Sequence, residues 1–159
     1  MVLAFSNVFS GVVFDNDVII HRPMNEVYAF LSDFENMPKW NYYLVSVKKT
    51  SPGDIAVGTT FHQIRKNDKQ DYRIIELNYP DTIAIETLPP ERKLLMRFKL
   101  ASVGQHTRII DTWQIAAPFL IAPFIKPFVK KAVASNLAKL KILLESGEVV
   151  LQDGRKIKL

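Results

Sequence analysis

Val27, Phe30, Leu31 and Phe34 recur at i, i+3, i+4 and i+7, the apolar stripe of a short helix. Pro23 ahead of them suits a first helical turn, where its missing N–H removes no bond. Ser32 or Asp33 can end this helix and cap a second short piece, which Pro38 closes before Trp40. Upstream, residues 11–20 are rich in Val, Ile and Phe. They predict a first strand, interrupted or turned near Asp15-Asn16-Asp17.

Downstream the period changes. Runs of strand character follow from Tyr43 to Lys48, Val57 to Arg65, Asp71 to Leu77, Thr82 to Thr87, Arg92 to Ala101 and Thr107 to Ala116. Turn residues punctuate them at Pro52-Gly53-Asp54, Asn67-Asp68, Tyr79-Pro80-Asp81, Pro89-Pro90 and Val103-Gly104-Gln105. No helical pattern separates these runs, so they predict an antiparallel meander. A long helix is then expected from about Pro123 or Lys126 to Glu145, with Gly147 placed to terminate it. The chain closes on Glu148 to Leu159, where Asp153-Gly154 suggests a small hairpin; a frayed tail is the alternative.

At 159 residues, 48% of them hydrophobic and 23% charged, the chain suits one folded domain and not a disordered segment. Cysteine is absent, which excludes disulfides, thiolate nucleophiles and cysteine-ligated metals. The first residues show no signal-peptide pattern. The most apolar stretch, Ile115 to Ile125, holds two prolines and falls short of the roughly 20 residues a membrane span needs. A cytoplasmic location is the expectation. The net charge of +5 is uneven: from Thr112 to Leu144 there is no acid, yet Lys126, Lys130, Lys131, Lys139 and Lys141 all lie there. Such a segment is either a solvated helix face or a surface for anionic partners.

The order of one strand, two short helices, an antiparallel meander and a long closing helix covers about residues 11 to 146. Several local patterns accompany it: Val27-Tyr28-Ala29-Phe30-Leu31-Ser32-Asp33 with Pro38-Lys39-Trp40, Val57-Gly58-Thr59-Thr60, Thr107-Arg108-Ile109, and Leu137 to Glu145. Together they resemble the START-like (SRPBCC) superfamily, in its polyketide cyclase/dehydrase and lipid-transport branch. The resemblance implies an α+β helix-grip fold. A curved antiparallel sheet of about six to seven strands would wrap around the C-terminal helix and enclose space for an apolar ligand. Residues 1–146 would form that ligand-binding domain, with 147–159 as a tail.

Motifs for common chemistries are missing: there is no GxSxG, P-loop, GxGxxG or HExxH, and His21, His62 and His106 lie about forty residues apart. No metal and no cofactor is expected. Alternation along the last strand, with Arg108 facing water, sends Ile109, Asp111, Trp113 and Ile115 inward. A carboxylate between Ile109 and Trp113 is costly to bury, so Asp111 is either a polar anchor or acid/base in a cavity, or a structural hydrogen-bonding partner. On the closing helix the apolar arc holds Ile125, Phe128, Val129, Ala132, Val133, Leu140 and Leu143, with Asn136 near its middle. Asn136 is expected either to touch ligand or to bond internally. Tyr43, Phe61, Tyr72, Met96, Phe98, Trp113, Phe124 and Phe128 are candidates to line the cavity, and His62 could face either side of its strand.

Three functions follow from these features. The first is binding or transport of a hydrophobic small molecule such as a lipid, quinone or aromatic polyketide. The second is an aromatic cyclase or dehydratase with Asp111 as acid/base, aided by Asn136, a tyrosine or His62. The third is an interaction module using the basic helix on membrane or RNA. Transient membrane contact through Phe119 to Phe128 is compatible with the first. Nucleic acid is not expected as a partner, because no interleaved basic and aromatic motif lies on the strands.

Overall fold

The computed structural model describes residues 11–159. Strand β1 (Gly11–Ile20) leads to helix α1 (Met24–Ser32), a 3-10 segment (Phe34–Lys39), and strands β2 (Leu44–Lys49), β3 (Thr60–Arg65), β4 (Lys69–Asn78), β5 (Thr82–Thr87), β6 (Leu94–Val103) and β7 (His106–Ala116). Helix α2 (Ala122–Ser146) follows, then a hairpin of β8 (Glu148–Val150) and β9 (Lys156–Lys158). Seven strands form one antiparallel curved sheet in the order β1-β7-β6-β5-β4-β3-β2. This is the helix-grip arrangement. All steps from β2 to β7 join neighbours; β1 alone crosses, pairing with β7 at the opposite edge from β2.

The Asp15-Asn16-Asp17 break expected in the first strand is absent. Those three residues pair with Thr112, Asp111 and Ile110, and β1 runs unbroken along β7. Local polarity predicts a turn there, but continuous pairing with β7 along one side holds the backbone extended and overrides it. Register shifts in β2, between Leu44 and Ser46, and in β4, between Ile74 and Glu76, mark bulges of the kind that bend a sheet.

Alternation sorts side chains into cross-strand rows on the inward face. One row runs Phe14, Trp113, Met96, Ile85, Ile74. The next runs Asn16, Asp111, Phe98, Ile83, Leu77. Two apolar clusters lie between this face and the helices. The larger gathers Val27, Leu31 and Phe34 with Phe61, Tyr72, Ile83, Phe98 and Ile109 from the sheet and Leu137, Leu140 and Leu143 from α2. The smaller holds Val12, Phe14, Ala117, Ala122 and Val133 under the N-terminal half of α2. Trp113 packs against both.

Helix α2 is held at its C-terminal end by side chains from the β1–α1 connection. Arg22 donates from Nε and Nη2 to the carbonyls of Leu144 and Glu145, satisfying acceptors that no helical turn can reach. The His21 backbone N–H donates to Glu145 Oε1. Gly147 ends the helix at φ 81°, its N–H bonded to the Leu143 carbonyl. The closing segment is a hairpin, and Val149 and Leu151 bury their side chains in the main cluster.

Candidate functional site

At the end of the interior near α1, aromatic rings occupy the space. Phe61 stacks on Tyr72 with centroids 5.3 Å apart, and Phe34 lies 5.0 Å and 5.9 Å from the two. Burial pushes the Tyr72 phenol well above its ordinary pKa, so it stays protonated. Its hydroxyl reaches Met37 Sδ at 4.0 Å. Met96 and Phe98 are buried in the adjoining rows, and Trp40 lies 6.3 Å from Phe98. These four sequence candidates, Phe61, Tyr72, Met96 and Phe98, all face inward and pack on one another's neighbours.

Phe124 and Phe128 do not join them. They are 74% and 77% exposed on the outer side of α2, and cannot line an interior. The arc drawn from the sequence was centred too far toward Phe128; the buried positions are Ala122, Val133, Asn136, Leu137, Leu140 and Leu143. Leu137, on the opposite side of the helix from Phe128, is buried although the arc left it out. Tyr43 is also displaced: it sits half-buried against Tyr42, centroids 4.0 Å apart, and Tyr42 packs on the main cluster instead. His62 lies on the outer face, its Nδ1 2.6 Å from Asp71 Oδ1.

Asn136 is buried in the helix face toward the core, and its amide is engaged on both sides. Its Nδ2 donates to Asn41 Oδ1 at 3.1 Å, while Gln152 Nε2 donates to its Oδ1 at 3.3 Å. The same Gln152 amide also reaches Ser135 Oγ at 3.0 Å. Asn136 thus ties three parts of the chain together: the loop before β2, α2 and the closing hairpin. Asn41 and Gln152 have no distinguishing pattern in the sequence, since their partners lie 95 and 16 residues away.

Asp111 and Trp113 differ from every other candidate. Alternation on β7 turns both inward, as the sequence implies, and Asp111 is 1% exposed. Among the described residues, Asp111 Oδ1 and Trp113 Nε1 are buried with no hydrogen-bond partner. Burial is the main reason the Asp111 carboxyl is pushed up from 3.8 to about 8; the nearby indole favours the charged form and Asp15 opposes it. The carboxyl is therefore mostly protonated at neutral pH, an O–H donor as well as an acceptor. Asn16 flanks it on β1 and sends its Nδ2 to the Lys130 carbonyl of α2 at 3.2 Å.

The apolar surroundings of this pair are not sealed. Trp113, Ile115, Ile125 and Val129 pack against the smaller cluster yet each keeps part of its surface accessible. The polar pair thus adjoins a partly accessible apolar cluster, a combination of the kind that lines sites for mostly apolar molecules bearing one polar group. Separately, an open groove of about 320 Å³ lies between α1 and the β4–β5 turn, lined by Tyr28, Ala29, Ser32, Asp33, Ile55, Leu77 and Tyr79. Fully buried Ile83 and Phe98 stand between Leu77 at its floor and Asp111. Among the described residues no group of three or more His, Asp or Glu side chains is arranged to hold a metal ion. No described helix is long and apolar enough to cross a membrane.

The chain belongs to the polyketide cyclase/dehydrase and lipid transport family, whose model matches residues 12–145. No curated protein sequence matches it. Several solved structures share its fold. The Aha1 dimer from Colwellia psychrerythraea is 18% identical with a TM-score of 0.68, covering 86% of this chain and 98% of that one. Protein MLL2253 from Mesorhizobium loti is 14% identical with a TM-score of 0.69, over 86% and 99% of the two chains. The di-domain ARO/CYC StfQ from the steffimycin biosynthetic pathway is 10% identical with a TM-score of 0.66, over 82% of this chain and 50% of that one. At such identities the likeness is one of fold.

Proposed function

We propose that this protein binds a hydrophobic small molecule, a lipid, quinone or aromatic polyketide in class, between β7 and the N-terminal half of α2. The ligand's apolar body covers Trp113, Ile115, Ile125 and Val129, and one polar atom meets Asp111 and Trp113 Nε1. The observation that supports this most is the pair of buried polar atoms without partners, Asp111 Oδ1 and Trp113 Nε1. Native proteins rarely leave such groups unpaired, because each costs roughly 1–3 kcal/mol. A ligand oxygen that accepts from the indole N–H and the protonated carboxyl would remove that cost. Membership of a family described by lipid transport as well as by cyclase chemistry agrees with it.

Native mass spectrometry of the purified full chain is the direct test, followed by titration with a fluorescent fatty acid. A hydrophobic adduct, or saturable binding weakened roughly 2- to 10-fold by Trp113→Phe, is the expected result. A chain that carries no adduct and does not saturate with the probe would end the proposal.

The raised pKa of Asp111 favours a second reading, that of a cyclase or dehydratase. A carboxyl titrating near neutrality can give and take a proton, which is typically worth 10²–10⁴-fold in rate. Two of its three suggested helpers are not placed to assist: Asn136 is engaged by Asn41 and Gln152, and His62 lies on the other face. Binding is therefore the preferred reading.

A further inference from the structure

The junction between β7 and α2 presents a surface unlike the rest of the molecule. Phe119, Leu120, Phe124 and Phe128 are 80%, 77%, 74% and 77% exposed, and Ile121 is 46% exposed. Phe124 and Phe128 stand one turn apart on the same side of α2, and Phe119 to Ile121 form the turn that leads directly into it. Elsewhere the exposed large aliphatics, such as Val45, Val57 and Val103, fall on separate strands and loops. A cluster of bulky apolar side chains in water is costly and marks a surface meant to be covered.

The charges around it indicate by what. Lys131 continues the line of Phe124 and Phe128 along the helix. Lys126 and Lys130, each two residues beyond a phenylalanine, leave the opposite side of the same turns, so the three lie around the helix and not in one row. All three lysines are exposed. No acid lies between Thr112 and Leu144 in the sequence, and the ion pairs among the described residues are made by other side chains. A second copy of this chain, docked symmetrically, would bring these lysines against their own equivalents. An anionic lipid surface answers both features at once: phosphates meet the ammonium groups while the rings enter the boundary between headgroups and acyl chains.

The junction is also locally stiff, which suits a wedge. Ile121 and Ala122 both donate to the Pro118 carbonyl, and Phe124 and Ile125 both donate to that of Ile121. Pro123 and Pro127 restrict the first helical turns further. About 100° around the same turns, Ile125 and Val129 pack against the smaller cluster. One segment thus carries an inner apolar face and an outer one.

We infer that Phe119, Leu120, Ile121, Phe124 and Phe128, flanked by Lys126, Lys130 and Lys131, form a docking surface for anionic phospholipid membranes. The inference stands on exposure and charge and does not require the ligand site. Co-sedimentation of the full chain with vesicles tests it, comparing phosphatidylcholine alone with a phosphatidylcholine and phosphatidylglycerol mixture. Binding is expected to the mixture only and to fall as salt rises, since ions screen such charges over about 8 Å at physiological strength. Phe124→Ser with Phe128→Ser, and separately Lys126→Ala with Lys130→Ala and Lys131→Ala, should each weaken it by more than about tenfold. All five side chains are exposed, so thermal melting should not change; a variant that melts early is replaced by Phe119→Ser with Leu120→Ser, which leaves α2 untouched. No binding to either vesicle would overturn the inference, as would binding indifferent to both sets of substitutions. A concentration-dependent dimer dissolved by the phenylalanine substitutions would overturn it too, by assigning the surface to a second copy. Retention of the native-spectrometry adduct in these variants separates this surface from the interior site.

Discussion

Asp111 and Trp113 lie two residues apart on the inward face of β7, the indole near enough to favour the charged carboxylate. Yet Asp111 Oδ1 and Trp113 Nε1 are buried without a hydrogen bond of normal geometry among the described residues. Their neighbours across the sheet are Asn16 and Phe98 for the acid, Phe14 and Met96 for the indole. Only Asn16 among these has a polar side chain, and its Nδ2 donates to the Lys130 carbonyl of α2. A polar couple is thus enclosed by an apolar layer, at the point where the larger and smaller clusters meet.

That enclosure makes stability depend on pH in a definite direction. The Asp111 carboxyl titrates at about 8 when folded and near 3.8 when exposed. Between those values the folded chain holds a proton that the unfolded chain has lost, so raising the pH favours unfolding. The stability present below about pH 4 is lost progressively up to about pH 8. Asp111→Asn removes the titration. Thermal melts from pH 4 to 8 should fall for the parent chain and stay flatter for the variant, with the variant ahead at pH 7 by more than about 1.4 kcal/mol. Parallel curves would mean that Asp111 is solvated or partnered.

Asn136 is expected to matter for folding and not for ligand. Asn136→Ala leaves Asn41 Oδ1 and the Gln152 amide short of a partner in a largely buried place. Urea denaturation should report a loss of about 1–3 kcal/mol. Affinity for the fluorescent fatty acid should move less than twofold, about the error of such a titration. A larger loss of affinity with unchanged stability would return Asn136 to the ligand site.

Gly147 closes α2 in a left-handed conformation, φ 81°, with open space where a Cβ would stand. The cost of Gly147→Ala is therefore conformational and not steric. About 1 kcal/mol of stability should go, read by the same denaturation, with the hairpin after it intact. Loss of the hairpin's protection in hydrogen exchange would show that the turn and the hairpin form as a unit.

Much of this architecture was written in local patterns. The stripe begun by Val27, Phe30 and Leu31, the alternation on β7 and the glycine at 147 each follow from neighbours within a turn or a strand. They are found where the pattern put them, though Phe34, the stripe's fourth member, is buried from the 3-10 segment beyond the end of α1. The same alternation turned Asp111 and Trp113 inward before any partner was known. Edges depended on contacts between distant segments. Asp15 to Asp17 read as a turn because their polarity is local, whereas the β7 backbone that straightens them is nearly a hundred residues away.

For the site, residue type and period indicated which faces were apolar but not which apolar face would be covered. Phe128 and Leu137 stand on opposite sides of the helix, at the two margins of its apolar arc; only the seating of α2 decided that Leu137 is inside and Phe128 in water. The partners of Asn136 likewise arise from the loop before β2 and the closing hairpin meeting at one helix face. Sequence alone determined the order of elements and the inward acid on β7, because both rest on short-range periodicity. Tertiary structure alone decided that this acid goes unpaired and that a row of phenylalanines faces outward, because burial is a property of what packs against a residue and not of the residue.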